Sequence, residues 1–296
     1  MSRPHVVRPA DRAALRDLEI LARTTVEGLR QGLHKSPFHG YSAEFSQYRH
    51  YRPGDDLKYV DWKAFARTDR LYSRQFRETT NLGALFVLDA SRSMDFGSAR
   101  TKFALAAATT AVLGTLVIDQ GDAAGLLALP GDQAHPEYVP LRSGRHHLRL
   151  FLAALARLAP SGAAPIGDAL RRAAALMKRR GLIVVLSDFY EDSEALTEVK
   201  RLARMGHDVV VIQTLAPEEV TLPRGGAAEF TDLETGARVV ADPSVLRSEY
   251  ESTVARFLES VKRAVEREGL DYLRLFTSEP LEPPLRRLLV ARRKAH

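Results

Sequence analysis

Short apolar runs alternate with longer helix-forming stretches over most of the chain. The apolar runs are rich in Val, Leu and Ile, as strands buried on both faces are, and lie at 84–88, 123–129, 182–187, 208–215 and 271–277. The helix-forming stretches between them lie near 98–118, 145–158, 167–179, 193–205 and 243–268. This alternation predicts an α/β fold with a mainly parallel sheet covered by helices on both faces.

The flanking regions follow other patterns. Residues 10–30 suit an amphipathic helix, and residues 36–77 mix aromatic and charged residues with Pro and Gly, which indicates short strands and turns. A hairpin is expected at 229–240 and a last helix near 281–293. We therefore expect an N-terminal helix and β-rich segment over residues 1–80, packed on an α/β domain over residues 81–296.

The composition restricts which cellular compartment and which kinds of site this chain can have. With 296 residues and 45% hydrophobic content, the chain can bury one large core. Cysteine is absent, which excludes disulfides and thiolate sites and fits a reducing compartment. Residues 1–15 lack an apolar signal-like segment, and the uncharged run at 103–118 is shorter than the roughly 20 residues that span a bilayer. We expect a cytoplasmic protein without membrane insertion.

Oxygen-bearing side chains follow two of the predicted strands. Asp89, Ser91 and Ser93 stand at positions i, i+2 and i+4 where the first apolar run ends, and Ser187 and Asp188 end a later run. Carboxylates and hydroxyls suit hard cations such as Mg²⁺ or Mn²⁺, and open α/β sheets bind ligands at the carboxyl ends of their strands. The predicted metal ligands are Asp89, Ser91, Ser93 and Asp188. The alternative is a capped helix start with no metal.

Two resemblances support the metal interpretation. The Asp-x-Ser-x-Ser spacing resembles the metal-ion-dependent adhesion site of von Willebrand factor A domains. The segment Tyr51–Trp62, which continues to Glu78, resembles the bacterial and archaeal family called domain of unknown function 58, whose members carry a von Willebrand A-like domain. This resemblance extends through the Asp-Leu-Glu-Thr-Gly segment and the region 271–292, and so covers roughly residues 25 to 293.

The family resemblance implies more than the residues themselves do. It implies a von Willebrand factor A-like, Rossmann-like fold and a partnership with AAA+ ATPases of the MoxR class, with this chain as an adaptor or chaperone-like factor for a client protein. It also implies a Thr ligand on the loop before the helix at 167–179, where this sequence has Ala164. Without that oxygen, Ser161, Asp168 or water would have to supply it, or the site is only structural.

Three classes of function remain open at this stage. Phosphate-loop, dinucleotide-loop, His-Glu-x-x-His and Gly-x-Ser-x-Gly patterns are absent from the sequence, which favours a non-enzymatic, metal-dependent protein-interaction module. The alternative is a metal-dependent hydrolase that uses Asp89 and Asp188. A nucleic-acid-binding protein is the third, since the net charge is +6, but the basic residues are scattered among 37 acidic ones as on an ordinary solvated surface.

The segment Pro53–Asp56 has two interpretations. In both, Pro53 and Gly54 make a turn. The following Asp55 and Asp56 either accept hydrogen bonds from turn amides and pair with nearby arginines, or they contact a partner protein. The neighbouring Trp62 and Phe65 favour the structural interpretation, because we expect them to pack the N-terminal segment onto the main domain.

Overall fold

The computed structural model describes residues 9–30, 43–52, 60–78, 82–130, 136–163, 165–190, 194–223 and 225–295. Its strands are β1 (Ala43–His50), β2 (Tyr72–Glu78), β3 (Gly83–Ala90), β4 (Ala123–Pro130), β5 (Glu137–Arg142), β6 (Leu182–Ser187), β7 (Asp208–Leu215), β8 (Ala228–Thr231), β9 (Arg238–Ala241) and β10 (Asp271–Phe276). Its helices are α1 (Pro9–Arg30), α2 (Trp62–Thr68), α3 (Lys102–Asp119), α4 (Arg145–Arg157), α5 (Ile166–Leu176), α6 (Ala195–Arg204), α7 (Pro217–Val220), α8 (Pro243–Glu266) and α9 (Glu282–Ala295).

A six-stranded sheet in the order β10-β7-β6-β3-β4-β5 forms the centre of the described structure. All neighbouring strands run parallel except β5, which lies antiparallel to β4 at one edge. After β3 the chain first builds one side of the sheet with β4 and β5, and then returns to build the other side with β6, β7 and β10. The strand order therefore reverses between β3 and β6, which is where open α/β sheets form ligand-binding crevices.

Helices cover both faces of this sheet because alternate residues of each strand point to opposite sides. Phe86 and Leu88 pack in a core with α1, α3, α4 and α9, whereas Leu85 and Val87 pack in a core with α5, α6 and α8. The predicted α/β fold with a mainly parallel sheet and helices on both faces is thus confirmed.

The N-terminal part agrees with the prediction only in outline. Helix α1 buries Ala22, Val26 and Leu29 in the core beside α3, and β1 and β2 pair as a separate antiparallel sheet. Between them the chain forms helix α2, where the sequence pattern predicts only strands and turns. Asp61 accepts the Ala64 N–H and so caps this helix. The expected packing role of Trp62 is wrong, because 57% of this residue is exposed. The boundary at residue 80 stays a prediction.

Helix α3 is the central helix of the larger core. By length and composition alone, α3 could cross a membrane, and it is the one such helix in the described part of the chain. However, 89% of its apolar window is buried inside the protein. It packs against β3 and β4 instead of exposing an apolar surface. The burial agrees with the expected core helix.

A buried arginine joins the last helix to the amino-terminal ends of two strands of the sheet. Arg292 of α9 is 1% exposed and pairs with Asp208 at the start of β7 and Asp271 at the start of β10. These carboxylates begin two adjacent parallel strands, so one guanidinium joins both. We infer a structural role for this residue, which belongs to the basic segment 286–294, called the basic tail below.

Candidate metal centre

The four predicted ligands lie together at the point where the strand order reverses. Asp89 is the penultimate residue of β3, Ser91 and Ser93 follow it, and Asp188 follows the last residue of β6. Because β3 and β6 are adjacent parallel strands, their carboxyl ends bring both acids to one edge of the sheet. The sequence prediction that these residues share a crevice is therefore consistent with the fold.

Asp89 is held by three hydrogen bonds and is 6% exposed. Its Oδ1 accepts the Ser91 N–H at 2.9 Å and the Ser91 hydroxyl at 2.7 Å. Its Oδ2 accepts the Ser187 hydroxyl at 2.6 Å, and Ser187 Oγ in turn accepts the Phe189 N–H at 3.0 Å. The carboxylate is thus fixed in orientation by both strands.

The two motif serines form a short chain that leads away from Asp89. Ser91 Oγ and Ser93 Oγ are 2.9 Å apart. A serine hydroxyl has one proton to donate, and Ser91 gives its proton to Asp89, so Ser93 must donate to Ser91. Both lone pairs of Ser93 Oγ are then left to accept from a ligand or to contact a cation.

The pKa of the Asp89 carboxyl is raised to about 6, chiefly by burial and then by the negative charge of Asp188. The hydrogen bonds from Ser187 and Ser91 act in the opposite direction and do not compensate. A nearby cation would favour the charged form of Asp89. Without a cation, the surroundings of Asp89 therefore oppose the ionisation of its carboxyl group.

Asp188 already has one cationic neighbour, which the sequence did not reveal. Its Oδ2 accepts a hydrogen bond from Lys102 Nζ at 2.6 Å, and its Oδ1 accepts the Tyr190 N–H at 3.1 Å. Lys102 is 1% exposed and its Nζ lies 5.5 Å from the centre of the Tyr190 ring. A buried lysine of this kind is retained in its charged form only by its partners.

Glu219 is the second partner of Lys102. It lies in the short helix α7 after β7, where its Oε2 accepts the Ala216 N–H at 3.0 Å and its other oxygen accepts from Lys102. Burial alone would lower the pKa of Lys102, but Asp188 and Glu219 outweigh it and the pKa is raised. When ionised, Asp89, Asp188 and Glu219 carry three negative charges against the one positive charge of Lys102, so this group has a net charge of −2.

The chain turns sharply just after Asp188. Phe189 has φ of 61°, a left-handed conformation that bulky residues rarely adopt. The Asp188 carbonyl accepts a hydrogen bond from Gln213 Nε2 at 2.8 Å, and Gln213 Oε1 accepts the Tyr272 hydroxyl at 2.6 Å. The backbone at this turn is thus held by residues of the neighbouring strands β7 and β10.

An open cavity of about 220 Å³ lies over these groups. Its lining combines the predicted ligands with residues of the loop before α5, the turn after β6 and the β8–β9 hairpin: Asp89, Ser91, Ser93, Ala163, Pro165, Ile166, Ser187, Asp188, Phe189, Tyr190 and Glu234. A second cavity of about 290 Å³ shares Ser93, Asp188, Tyr190 and Glu234 with it and extends to Lys102 and Glu219. We call the first cavity the crevice.

The loop that the family resemblance singled out borders this crevice. Ala164 itself lies outside the described residues, but Ala163 and Pro165 on either side of it line the crevice. Asp168 instead pairs with Arg171, and neither Asp168 nor Ser161 is among the described residues that line the crevice. The segment Pro53–Asp56 also lies outside the described residues.

The available donors fit a hard divalent cation better than a softer metal. In the part of the chain that the structure describes, no three His, Asp or Glu side chains form a metal-binding group. A cation in the crevice would rest on two carboxylates, serine hydroxyls and water, which is an all-oxygen set of the kind that Mg²⁺ and Mn²⁺ accept.

Sequence reasoning missed Lys102, Ser187 and Glu219 as members of the site. One signal was available for Lys102: it begins a helix that has no other charged residue before Asp119, at the end where the helix dipole disfavours a cation. A lysine in that position needs acidic neighbours. For Glu219 the sequence offers only its place in the connection after a buried strand.

The family described as "Protein of unknown function DUF58" matches residues 47–260. This chain belongs to the DUF58 family. A relative named "Uncharacterized protein Rv1480" from Mycobacterium tuberculosis is 32% identical over 302 residues, which cover 99% of this chain and 93% of the relative. An uncharacterized protein of Mycobacterium bovis gives the same values.

Solved structures with partial similarity to this DUF58 chain include the conserved hypothetical protein BatB from Bacteroides thetaiotaomicron. The identity is 18%, the coverage 72% of this chain and 99% of BatB, and the TM-score 0.47. Proximal thread matrix protein 1 from the mussel byssus, solved with a zinc-occupied MIDAS motif, is 18% identical over 45% of this chain and 36% of its own, with a TM-score of 0.34. At these low values neither neighbour assigns a function to this chain.

Proposed function

We propose that this DUF58 chain is a metal-dependent protein-interaction module. Its crevice holds one Mg²⁺ or Mn²⁺ through Asp89, Ser91, Ser93 and Asp188, directly or through water. The bound cation supplies an electrophilic position that accepts a carboxylate from another protein. The observation that carries the proposal is the meeting of two buried carboxylates and two serine hydroxyls at the strand-order reversal, beneath an open cavity.

The charge of the site supports a divalent ion. The net charge of −2 for Asp89, Asp188, Glu219 and Lys102 equals in magnitude the charge of one divalent cation. Burial and the charge of Asp188 raise the pKa of Asp89, so a cation at the crevice would relieve an existing electrostatic cost. The same argument gives no advantage to an anionic ligand there.

The alternative of a metal-dependent hydrolase finds less support. A general base must be free to take a proton from an attacking water. Asp89 already accepts three hydrogen bonds, and Asp188 and Glu219 share the buried ammonium of Lys102. These acids are engaged in holding the site together, which favours binding over catalysis.

A nucleic-acid-binding role for the basic tail is also less favoured. Arg292 is buried between two carboxylates, and Arg286 donates to Glu282 at 2.6 Å and to the Gly28 carbonyl at 2.7 Å. Arginines already paired within the protein have less charge available to neutralise phosphates. The tail thus contributes less free positive charge than its sequence suggests.

For the partner we propose a AAA+ ATPase of the MoxR class, with this chain as its adaptor or chaperone-like factor in the cytoplasm. The support for this pairing is the family resemblance. The chain alone is then expected to lack ATPase activity, in agreement with its missing phosphate loop. A pull-down from native lysate should recover the ATPase with Mg²⁺ present and lose it with chelator.

Calorimetric titration with Mg²⁺ and Mn²⁺ tests the metal site directly. Asp89→Ala should abolish binding. Asp89→Asn, which keeps the shape of the side chain, should abolish it as well and replaces the Ala variant in the test if that variant does not fold. Asp95→Ala is the matched control, since Asp95 is exposed and lies in the short turn Arg92–Asp95 that also contains Ser93. Equal affinity in wild type and both Asp89 variants would exclude Asp89 as a ligand, and no binding by wild type would refute the proposal.

A further inference from the structure

The β8–β9 hairpin brings one more carboxylate to the crevice. Its tip is the Asp-Leu-Glu-Thr-Gly segment, and Asp232 Oδ1 accepts the N–H groups of Glu234 at 2.8 Å and Thr235 at 2.9 Å. The backbone of Asp232 also bonds to that of Ala237 at 2.8 Å and of Gly236 at 2.9 Å. These bonds define the conformation of the tip and hence the place of Glu234.

Glu234 differs from the rest of the tip in its surroundings. It is half-buried, whereas its neighbours from Thr231 to Leu233 and from Thr235 to Arg238 are exposed. It lines both the crevice and the adjoining cavity, beside Ser93 and Asp188. Thr231, Asp232 and Leu233 line only the adjoining cavity, so among the described residues of the tip Glu234 is the one that also lines the crevice.

Lys102 lines the adjoining cavity together with Glu234 but gives its ammonium to Asp188 and Glu219. Within the described part of the chain, the carboxylate oxygens of Glu234 accept no hydrogen bond and form no ion pair. Glu234 lines cavities that Asp89, Asp188 and Glu219 also line, and a further negative charge beside these acids in their ionised form is unfavourable without a cation. The engaged acids Asp89, Asp188 and Glu219 differ in this respect, since each has hydrogen-bond donors.

We propose that Glu234 is an internal ligand that occupies the cation's open position when no partner is bound. This inference rests on the proposed metal site and adds a residue from a distant segment to it. An acidic partner would then bind by displacing Glu234, so the hairpin sets the threshold for partner binding. The chemistry of the partner follows from that of the residue displaced: a carboxylate on an exposed Asp or Glu.

Mn²⁺ bound to the full chain offers a readout that does not require the partner. Water-proton relaxation counts the exchangeable waters on the bound ion, and titration gives its affinity. Glu234→Gln should weaken Mn²⁺ binding about tenfold and add one exchangeable water, because a neutral amide is a weaker ligand than a carboxylate. Millimolar acetate should then displace that water in the variant and have little effect on wild type.

Glu229→Gln is the matched control. Glu229 lies in the same hairpin, is exposed, and pairs with Arg238 across the strands at 3.0 Å. This variant should keep wild-type affinity and hydration. If Glu234→Gln also keeps both, Glu234 is not a ligand and the inference is overturned. If wild type and Glu229→Gln bind no Mn²⁺ at all, the metal site itself is refuted, which is a different result.

Discussion

Replacement of Lys102 by Met tests whether the crevice is balanced by charge. The ammonium of Lys102 is buried against Asp188 at 2.6 Å and also donates to Glu219. Met has a similar length and no charge, so Lys102→Met keeps most of the packing and removes the cation. The net charge of the group falls from −2 to −3.

The expected loss of stability follows from the contact distance. Two unit charges 2.6 Å apart interact by about 6 kcal/mol at an effective dielectric constant of about 20. The desolvation of both ions opposes this attraction, and removing one partner of a buried pair typically costs about 3–5 kcal/mol. We expect that loss for Lys102→Met in the presence of EDTA.

Mg²⁺ should restore part of this loss in the variant. A ligand at about 100 times its Kd stabilises a protein by about 2.7 kcal/mol. The additional negative charge should tighten Mg²⁺ binding by about tenfold, which raises the stabilisation at the same Mg²⁺ concentration by about 1.4 kcal/mol. The metal should therefore stabilise Lys102→Met more than it stabilises wild type.

Urea unfolding in EDTA and in Mg²⁺ measures both effects. Lys262→Met is the control, because Lys262 is only half-buried and weakly paired with Glu266 at 3.9 Å, and it should lose less than about 1 kcal/mol. If Lys102→Met does not fold, adding Glu219→Gln returns the net charge to −2 and should recover folding. The reasoning is refuted if Lys102→Met loses no more stability than Lys262→Met, or if Mg²⁺ stabilises wild type and Lys102→Met equally.

Three further predictions concern other residues of the chain. Arg292→Met should lower the free energy of unfolding by about 3–5 kcal/mol, since it leaves two carboxylates without their shared partner, and the exposed neighbour Arg293→Met should change it little in the same urea experiment. Mn²⁺ affinity should fall about tenfold for each pH unit below 6, because protonation of Asp89, whose pKa is about 6, competes with the metal; a flat titration series from pH 8 to 5 would contradict this. Ala164→Thr should tighten Mg²⁺ binding about tenfold by adding an oxygen, and Ala164→Val, which adds bulk alone, should not; equal calorimetric results for the two would place residue 164 away from the ion.

Most of the sheet was predictable because its strands are buried on both faces. The apolar runs at 182–187 and 208–215 coincide with β6 and β7, and the run at 271–277 differs from β10 by one residue. Strand β5 was missed. It is an edge strand in which Val139 is buried and Tyr138 is exposed, and it contains Pro140, so it lacks both the continuous apolar run and the usual strand composition.

The site was predictable where a strand delivers its residues and not where a connection does. Asp89 and Asp188 end apolar runs, so their meeting follows from the parallel sheet. Every crossover in such a sheet returns the chain to the same edge, and the connections after β3, β6 and β7 must therefore meet there as well. Lys102 and Glu219 lie in two of those connections. A sequence search for such sites should thus consider the charged residues that follow each buried strand, and give most weight to a cation at a helix N-terminus, because its position is unfavourable unless acids from neighbouring connections surround it.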